Sequence, residues 1–253
     1  MISKNTIKRL NSLSQKKYRN KEKLFLVEGD KMVMELMDSS YEIETLYLTE
    51  EFVASFAKIG KVPENVVIVN HAELKKISQL QTPQNSLAVC RIPVPLEIPD
   101  KLNENLSIYL DGIRDPGNFG TIIRICDWFG IRDLFCSADS VDLYNPKVIQ
   151  ASMGSFTRVN IYESEFAVVR ELAKKSGTAI YGAFMDGTNV YTENLSGNSL
   201  LVMGNEGNGI SETVEHLIDR KISIPSFSNE RNQAESLNVS VATAILCSEF
   251  KRR

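Results

Sequence analysis

Residues 106–130 read LSIYLDGIRDPGNFGTIIRICDWFG, and this stretch decides the fold. A short apolar run (LSIYLDGI, 106–113) stops at a turn rich in Gly, Pro and Asn. A helix over 120–130 follows, with Ile122, Ile123, Cys126 and Phe129 on one face. Strand, glycine-rich turn and helix then recur downstream. Apolar strand runs stand at 132–137, 157–162, 177–184, 199–204 and 222–225, with helical patterns at about 163–175, 211–217 and 236–250. Alternation of this kind predicts an α/β domain with a mostly parallel sheet covered on both faces.

Upstream, residues 93–105 hold Pro93, Pro95 and Pro99 and few strand signals, so they read as a stiff connector. Before it, residues 1–92 alternate helix (4–15, 31–37, 51–60, 72–80) and strand (24–29, 44–49, 66–69, 86–92), which predicts a small α/β sandwich. The expected organisation is a domain over 1–92, a linker over 93–105 and a second domain over 106–253.

With 253 residues, 43% hydrophobic and 24% charged, the chain can bury a substantial core. No apolar run reaches the ~18 residues that span a bilayer, and no secretory signal follows the basic start, so a cytoplasmic protein is expected. Cys90, Cys126, Cys136 and Cys247 show no metal-ligand or disulfide rhythm, and no metal is expected. His71 and His216 lack a plausible partner and read as structural or surface residues, which leaves no ordinary general base.

The net charge is −3, yet residues 1–31 carry nine Lys and Arg against three acids. That local excess of six cations reads as an RNA- or phosphate-facing patch, with Lys16, Lys17, Arg19, Lys21 and Lys23 as its candidates. A solvated helix face is the plainer alternative.

Three loops after buried strands could hold chemistry, because ligands in open α/β sheets bind outside the carboxyl ends of the strands. The first, residues 111–124, has Gly112, Gly117 and Gly120, with Asn118 at or near the helix N-cap and Arg124 within the second helical turn. An arginine in the apolar run TIIRICDWF either meets an anion or forms a structural salt bridge, to Asp111 or Asp127. The second, 200–211, follows GxxGxG spacing (Gly204, Gly207, Gly209) with Glu206 inside it. A carboxylate is a poor neighbour for pyrophosphate, so a cofactor without phosphates fits better; this also argues against a dinucleotide-dependent dehydrogenase. The third, 222–250, leads from a strand through a polar loop to Ser236, a candidate cap for a long apolar helix.

Together NFGTIIR (118–124), MGNEGNGIS (203–211) and IP…SLNVSVATA (224–244) resemble the three ordered motifs of the SpoU (TrmH-like) branch of the SPOUT RNA methyltransferases. The N-terminal region resembles the small ribosomal-protein-like RNA-binding domain that many members carry. The resemblance implies a deep trefoil knot in the second domain, a homodimer formed through it, and methyl transfer from S-adenosylmethionine to a ribose 2′-hydroxyl of structured RNA. Ribosomal RNA is the favoured substrate and transfer RNA the alternative; a catalytically silent RNA-binding protein of the same fold is a further reading. It also implies that Arg124, Asn118, Glu206, Ser236 and Asn238 form the catalytic set, and that Gly204, Asn205, Ile224, Leu237 and Asn238 contact the cofactor. The family gives Arg124 the role of base. Arginine keeps its proton to a pKa above ~12, so a phosphate clamp is the physical alternative.

Overall fold

The computed structural model describes residues 1–59, 65–102, 105–227 and 236–252. By internal packing the chain divides into two compact units. One comprises Met1–Val94 with Asp142–Thr157, the other Pro95–Val141 with Arg158–Arg253.

The first unit holds a four-stranded sheet in the order β1 (Leu24–Glu28), β4 (Ser86–Arg91), β2 (Ile43–Leu48), β3 (Val66–Ile68). β4 runs antiparallel to both neighbours, and β2 and β3 are parallel. Strand periodicity of two sends Leu24 and Leu26 into a core with Leu10 and Leu13 of the N-terminal helical segment and with Leu74 and Ile77 of a later helix. Phe25, on the opposite face, packs edge-on against Tyr41 and Phe156 and tilted against Tyr144. That second contact explains the division of the chain. Residues 142–157, expected within the C-terminal domain, bury Tyr144 and Phe156 in the first unit instead.

Helix α1 (Lys4–Ser12) ends earlier than its periodicity suggests, where the Ser12 and Ser14 hydroxyls donate to the carbonyls of Arg9 and Asn11. A separate helix α2 (Lys16–Glu22) follows and ends on Lys23, whose φ of 55° is left-handed. α3 (Asp30–Met37), α4 (Glu50–Ile59) and α5 (His71–Ile77) fall near their expected places. The capping box of Asn70 and Glu73 starts α5. Helix α7 (Pro146–Ser152) was not anticipated. Asn145 caps it, accepting from the Lys147 N–H at 2.9 Å, and Pro146 occupies its first turn.

The second unit holds six strands, all parallel, in the order β10 (Arg220–Ser223), β8 (Ala179–Asn189), β9 (Ser199–Gly204), β5 (Leu106–Asp111), β6 (Asp133–Cys136), β7 (Asn160–Glu163). β5 and β9 are buried along nearly their whole length, as central strands of a doubly covered sheet must be. Helix α6 (Pro116–Trp128) follows β5, α8 (Phe166–Lys175) precedes β8, and the short α9 (Glu212–Glu215) follows β9. The last helix, α10 (Val239–Arg252), packs on α6, β5 and β9. Pairing of β5 with β9 places Asp111 beside Gly204, so the loops after both strands leave the same edge side by side. Among the described residues no helix is long and apolar enough to cross a membrane.

Candidate active site at the carboxyl edge of the sheet

The loop after β5 is shaped from both sides. Gly112 has a φ of 67°, and its N–H donates to the Ser137 hydroxyl at 2.8 Å. Its carbonyl accepts from the Asn205 carboxamide at 2.6 Å. The chain then turns into α6, which Asp115 caps by accepting from the Asn118 N–H at 2.7 Å. Asp115, not Asn118, is therefore the cap. This frees the Asn118 carboxamide, in the first turn of the helix, to reach outward.

The loop after β9 closes on itself. Asn205 and Gly209 exchange backbone hydrogen bonds at 2.9 and 3.0 Å, and the Asn205 Oδ1 accepts from the N–H groups of Gly207 and Asn208. The return is so close that a Cβ on Gly204 would stand 2.2 Å from the carbonyl carbon of Gly209 and the nitrogen of Ile210. Only glycine fits there. The Asp111 carboxylate ties the end of this loop down by accepting from the Ser211 N–H at 2.6 Å.

Glu206 projects from the turn toward the first loop. It accepts from the Asp115 N–H at 3.3 Å and from the Asn118 Nδ2 at 3.0 Å. Asn118 Oδ1 in turn accepts from the Asn238 Nδ2 at 2.9 Å, and Asn238 Oδ1 accepts from the Ser240 hydroxyl at 2.6 Å. Asn238 also caps α10, accepting from the N–H groups of Ser240 and Val241 at 3.0 and 3.3 Å. The cap expected at Ser236 thus sits two residues later, and Ser236 is exposed outside the helix. One chain of polar contacts, Glu206–Asn118–Asn238–Ser240, joins the three loops. Its polar groups border a cleft of about 730 Å³ lined by Arg114, Asp115, Pro116, Asn118, Asn205, Glu206 and Asn238.

Of the residues expected here, the structure brings together Asn118, Asn205, Glu206 and Asn238, with Gly204 beneath them. Ile224 directly follows β10 and Leu237 directly precedes Asn238; neither lines the cleft. Arg124 does not line it either. It is exposed, and among the described residues no hydrogen bond or ion pair holds it. Neither expected salt-bridge partner takes it. Asp127 is paired with Arg158 at 2.8 Å, and Asp111 is committed to Ser211. Among the described residues no hydrogen bond joins Ser236 to Asn118 or Arg124, and most of the loop 225–235 lies outside the described residues. Sequence reading missed Asp115, Arg114 and Ser240. Asp115 was legible, since an acid directly before a proline at a helix start is a capping signal.

In the first unit the basic patch is smaller than its sequence count. Arg19 is 2% exposed. Its guanidinium donates to the carbonyls of Leu13 and Ser14 at 2.8 Å each and forms an ion pair with Asp142. Arg19 therefore leaves the RNA-facing set, because a guanidinium 2% exposed and already paired with a carboxylate is out of reach of a phosphate. Lys16, Lys17, Lys21 and Lys23 are exposed, and among the described residues none forms an ion pair.

The profile of the SpoU rRNA Methylase family matches residues 105–248. The chain belongs to that family. Residues 4–88 of this SpoU methylase match the MRM3-like substrate binding domain. A 23S rRNA (guanosine(2553)-2′-O)-methyltransferase of Bacillus subtilis is 27% identical over 95% of this chain and 93% of its own. Among solved structures, a TrmH-family protein from Porphyromonas gingivalis is 39% identical, with a TM-score of 0.86 over 100% of this chain and 99% of that one. An AdoMet-bound rRNA methyltransferase from Sinorhizobium meliloti is 26% identical, with a TM-score of 0.84 over 100% and 96%.

Proposed function

We propose that this SpoU methylase transfers a methyl group from S-adenosylmethionine to a ribose 2′-hydroxyl in structured ribosomal RNA. The observation that carries this reading is the Glu206–Asn118–Asn238–Ser240 chain, which fixes three loops around one cleft at the carboxyl edge of a parallel sheet. The residues present suit the cofactor. Leu237, 50% exposed beside Asn238, offers apolar surface for an adenine. Asn205 and Asn238, which line the cleft, would hold it with Gly204, and the expected contacts from Ile224 and Leu237 would come from outside that lining. A bound sulfonium supplies an electrophilic methyl group, and the Glu206 carboxylate is compatible with that positive charge where a pyrophosphate would be repelled.

The chain's own residues supply position and charge. Glu206 and Asn118 set the path of the first loop, and Asn238 fixes where α10 begins. Arg124, which has no partner among the described residues, binds the phosphate beside the target ribose through its planar fork. Its cation lowers the pKa of the attacking hydroxyl and aligns it while the proton leaves to solvent. Comparing Arg124→Lys with Arg124→Ala in single-turnover methylation tests this. Clamping predicts partial activity in the lysine variant without a new lysine-like pKa; full activity in the alanine variant removes Arg124 from the reaction.

A homodimer belongs to the same reading. Positions 117, 121, 124 and 128 share one stripe of α6, which puts Arg124 beside Trp128, itself 85% exposed. Val241, 49% exposed, lies on α10, the helix packed against α6. An exposed tryptophan on this face is a surface that a second copy would cover. A knotted passage of the C-terminal segment is part of this reading too, as the family resemblance implies. The decisive experiment incubates the protein with tritiated S-adenosylmethionine and RNA from a strain lacking its gene. Label in ribosomal RNA at a 2′-oxygen supports the proposal; label in transfer RNA alone redirects the substrate, and no label in any RNA overturns the reading.

A further inference from the structure

Among the described residues lining the cleft, Arg114 is the only cation, and its surroundings leave it uncommitted. It stands at the crown of the loop between β5 and α6. The acids nearby are spent on the fold. Glu206 accepts backbone N–H groups and the Asn118 carboxamide, and Asp115 caps α6. Arg114 itself is 70% exposed and reaches only Asp139, at 3.8 Å, whose side chain is 59% exposed. Asp139 is held from the other side, accepting from the Ser137 hydroxyl at 2.6 Å. An exposed ion pair of that length contributes almost nothing to stability, so the guanidinium can exchange partners freely.

We infer that Arg114 grips a backbone phosphate of the substrate RNA at the mouth of the cleft, a contact separate from that of Arg124. A polyanion entering between Asp115 and Glu206 needs a cation at this lip, and the planar guanidinium fork suits a phosphate bidentately. Asp139 then acts as a resting partner that the phosphate displaces. This inference rests on RNA being the substrate.

The test compares the full-length protein with Arg114→Ala, Arg114→Lys and Asp139→Asn, using the RNA that the wild-type protein methylates. Binding is measured across a salt series beside KM, kcat and S-adenosylmethionine affinity. Arg114→Ala is expected to raise KM about tenfold and to flatten the log K against log salt slope by about 0.7 to 0.9, the share of one phosphate. Cofactor affinity stays unchanged, and Arg114→Lys recovers the slope but only part of KM. Asp139→Asn separates binding from structure. A phosphate grip predicts RNA binding equal to or tighter than wild type, whereas a purely structural pair predicts that Asp139→Asn reproduces Arg114→Ala. An unchanged salt slope in Arg114→Ala, or that reproduction, overturns the inference. Absence of methylation by the wild-type protein is a different result, because it strikes the proposed function itself.

Discussion

The Asn118–Glu206 contact can be inverted without changing its shape. Asn118→Asp replaces the donor 3.0 Å from Glu206 Oε1 with a carboxylate oxygen. The variant loses a hydrogen bond to a charged group, about 1.5 to 3 kcal/mol where buried. It also sets two carboxylates against each other, about 4 kcal/mol at 4 Å with an effective dielectric of 20. Both groups are partly in solvent, and a shared proton relieves the repulsion, so a net cost of about 3 kcal/mol at pH 8 is expected. That cost shrinks toward pH 5. Adding Glu206→Gln to the same chain turns the contact round. The new carboxamide at position 206 donates, and the new carboxylate at position 118 accepts from it while still accepting from Asn238. The double variant forfeits the 3.3 Å bond from the Asp115 N–H and should lie within about 1 kcal/mol of wild type. Urea denaturation of the four proteins at pH 8 and pH 5 supplies the cycle, and cofactor affinity should follow the same order. If Asn118→Asp is as stable as wild type, or the double variant is no better than the single one, the contact does not organise the loops.

Four other expectations follow from individual groups. Burial pushes the Glu28 carboxyl above its ordinary 4.5, against hydrogen bonds from Ser78 and the Gln79 N–H that pull it down. The folded state then keeps a proton that the unfolded chain releases. Stability from Glu28 is complete below 4.5 and falls as the pH rises through the raised folded value; a plot of urea midpoints against pH should lose that decline in Glu28→Gln. Asp142→Ala strands the buried Arg19 guanidinium and should cost about 3 kcal/mol with little change in the salt dependence of RNA binding. Lys16→Ala with Lys17→Ala should do the opposite, leaving the thermal midpoint in place and flattening the salt slope. Gly204→Ala drives a Cβ into backbone at 2.2 Å and should lower both the melting temperature and cofactor affinity; an unperturbed melt would show that the loop yields.

Much of this architecture is legible in the sequence because local signals and burial agree. LSIYLD and SLLVMG are continuous apolar runs, as central parallel strands require, and both fall in the middle of the sheet. Where a local signal competes with a distant contact, reading fails. Residues 142–157 look like an ordinary connection after β6, yet Tyr144 and Phe156 are drawn onto Phe25 by apolar burial that no local window contains. Arg19 fails for the same reason. It stands among lysines of identical sign, and only Asp142, 123 positions away, makes it a buried structural cation. The site divides similarly. Its residue types are visible in the motifs, but the partner of each donor is not. Nothing in the first motif shows that Asn118 spends its carboxamide on Glu206 and Asn238, from the other two loops.

That distribution of partners resolves an apparent conflict in the site. A cleft bordered by Asp115 and Glu206 is a poor place for a polyanion unless their charge is offset. Each carboxylate is partly engaged by donors of the chain. Asp115 spends its charge on the N-terminus of α6, where the helix dipole compensates it, and Glu206 spends its charge on backbone N–H groups and a carboxamide. The acids build the loops, and the two arginines of the same motif are left over. Arg114 is held by one loose contact, and among the described residues Arg124 is held by none. A motif whose described arginines lack a close counter-ion is suited to phosphate. The first loop can carry an acid-rich sequence and still serve RNA only if its cations face the ligand, because the sign a phosphate meets is the sum of all the charges around it, and Arg114 is the cation at the lining that offsets Asp115 and Glu206.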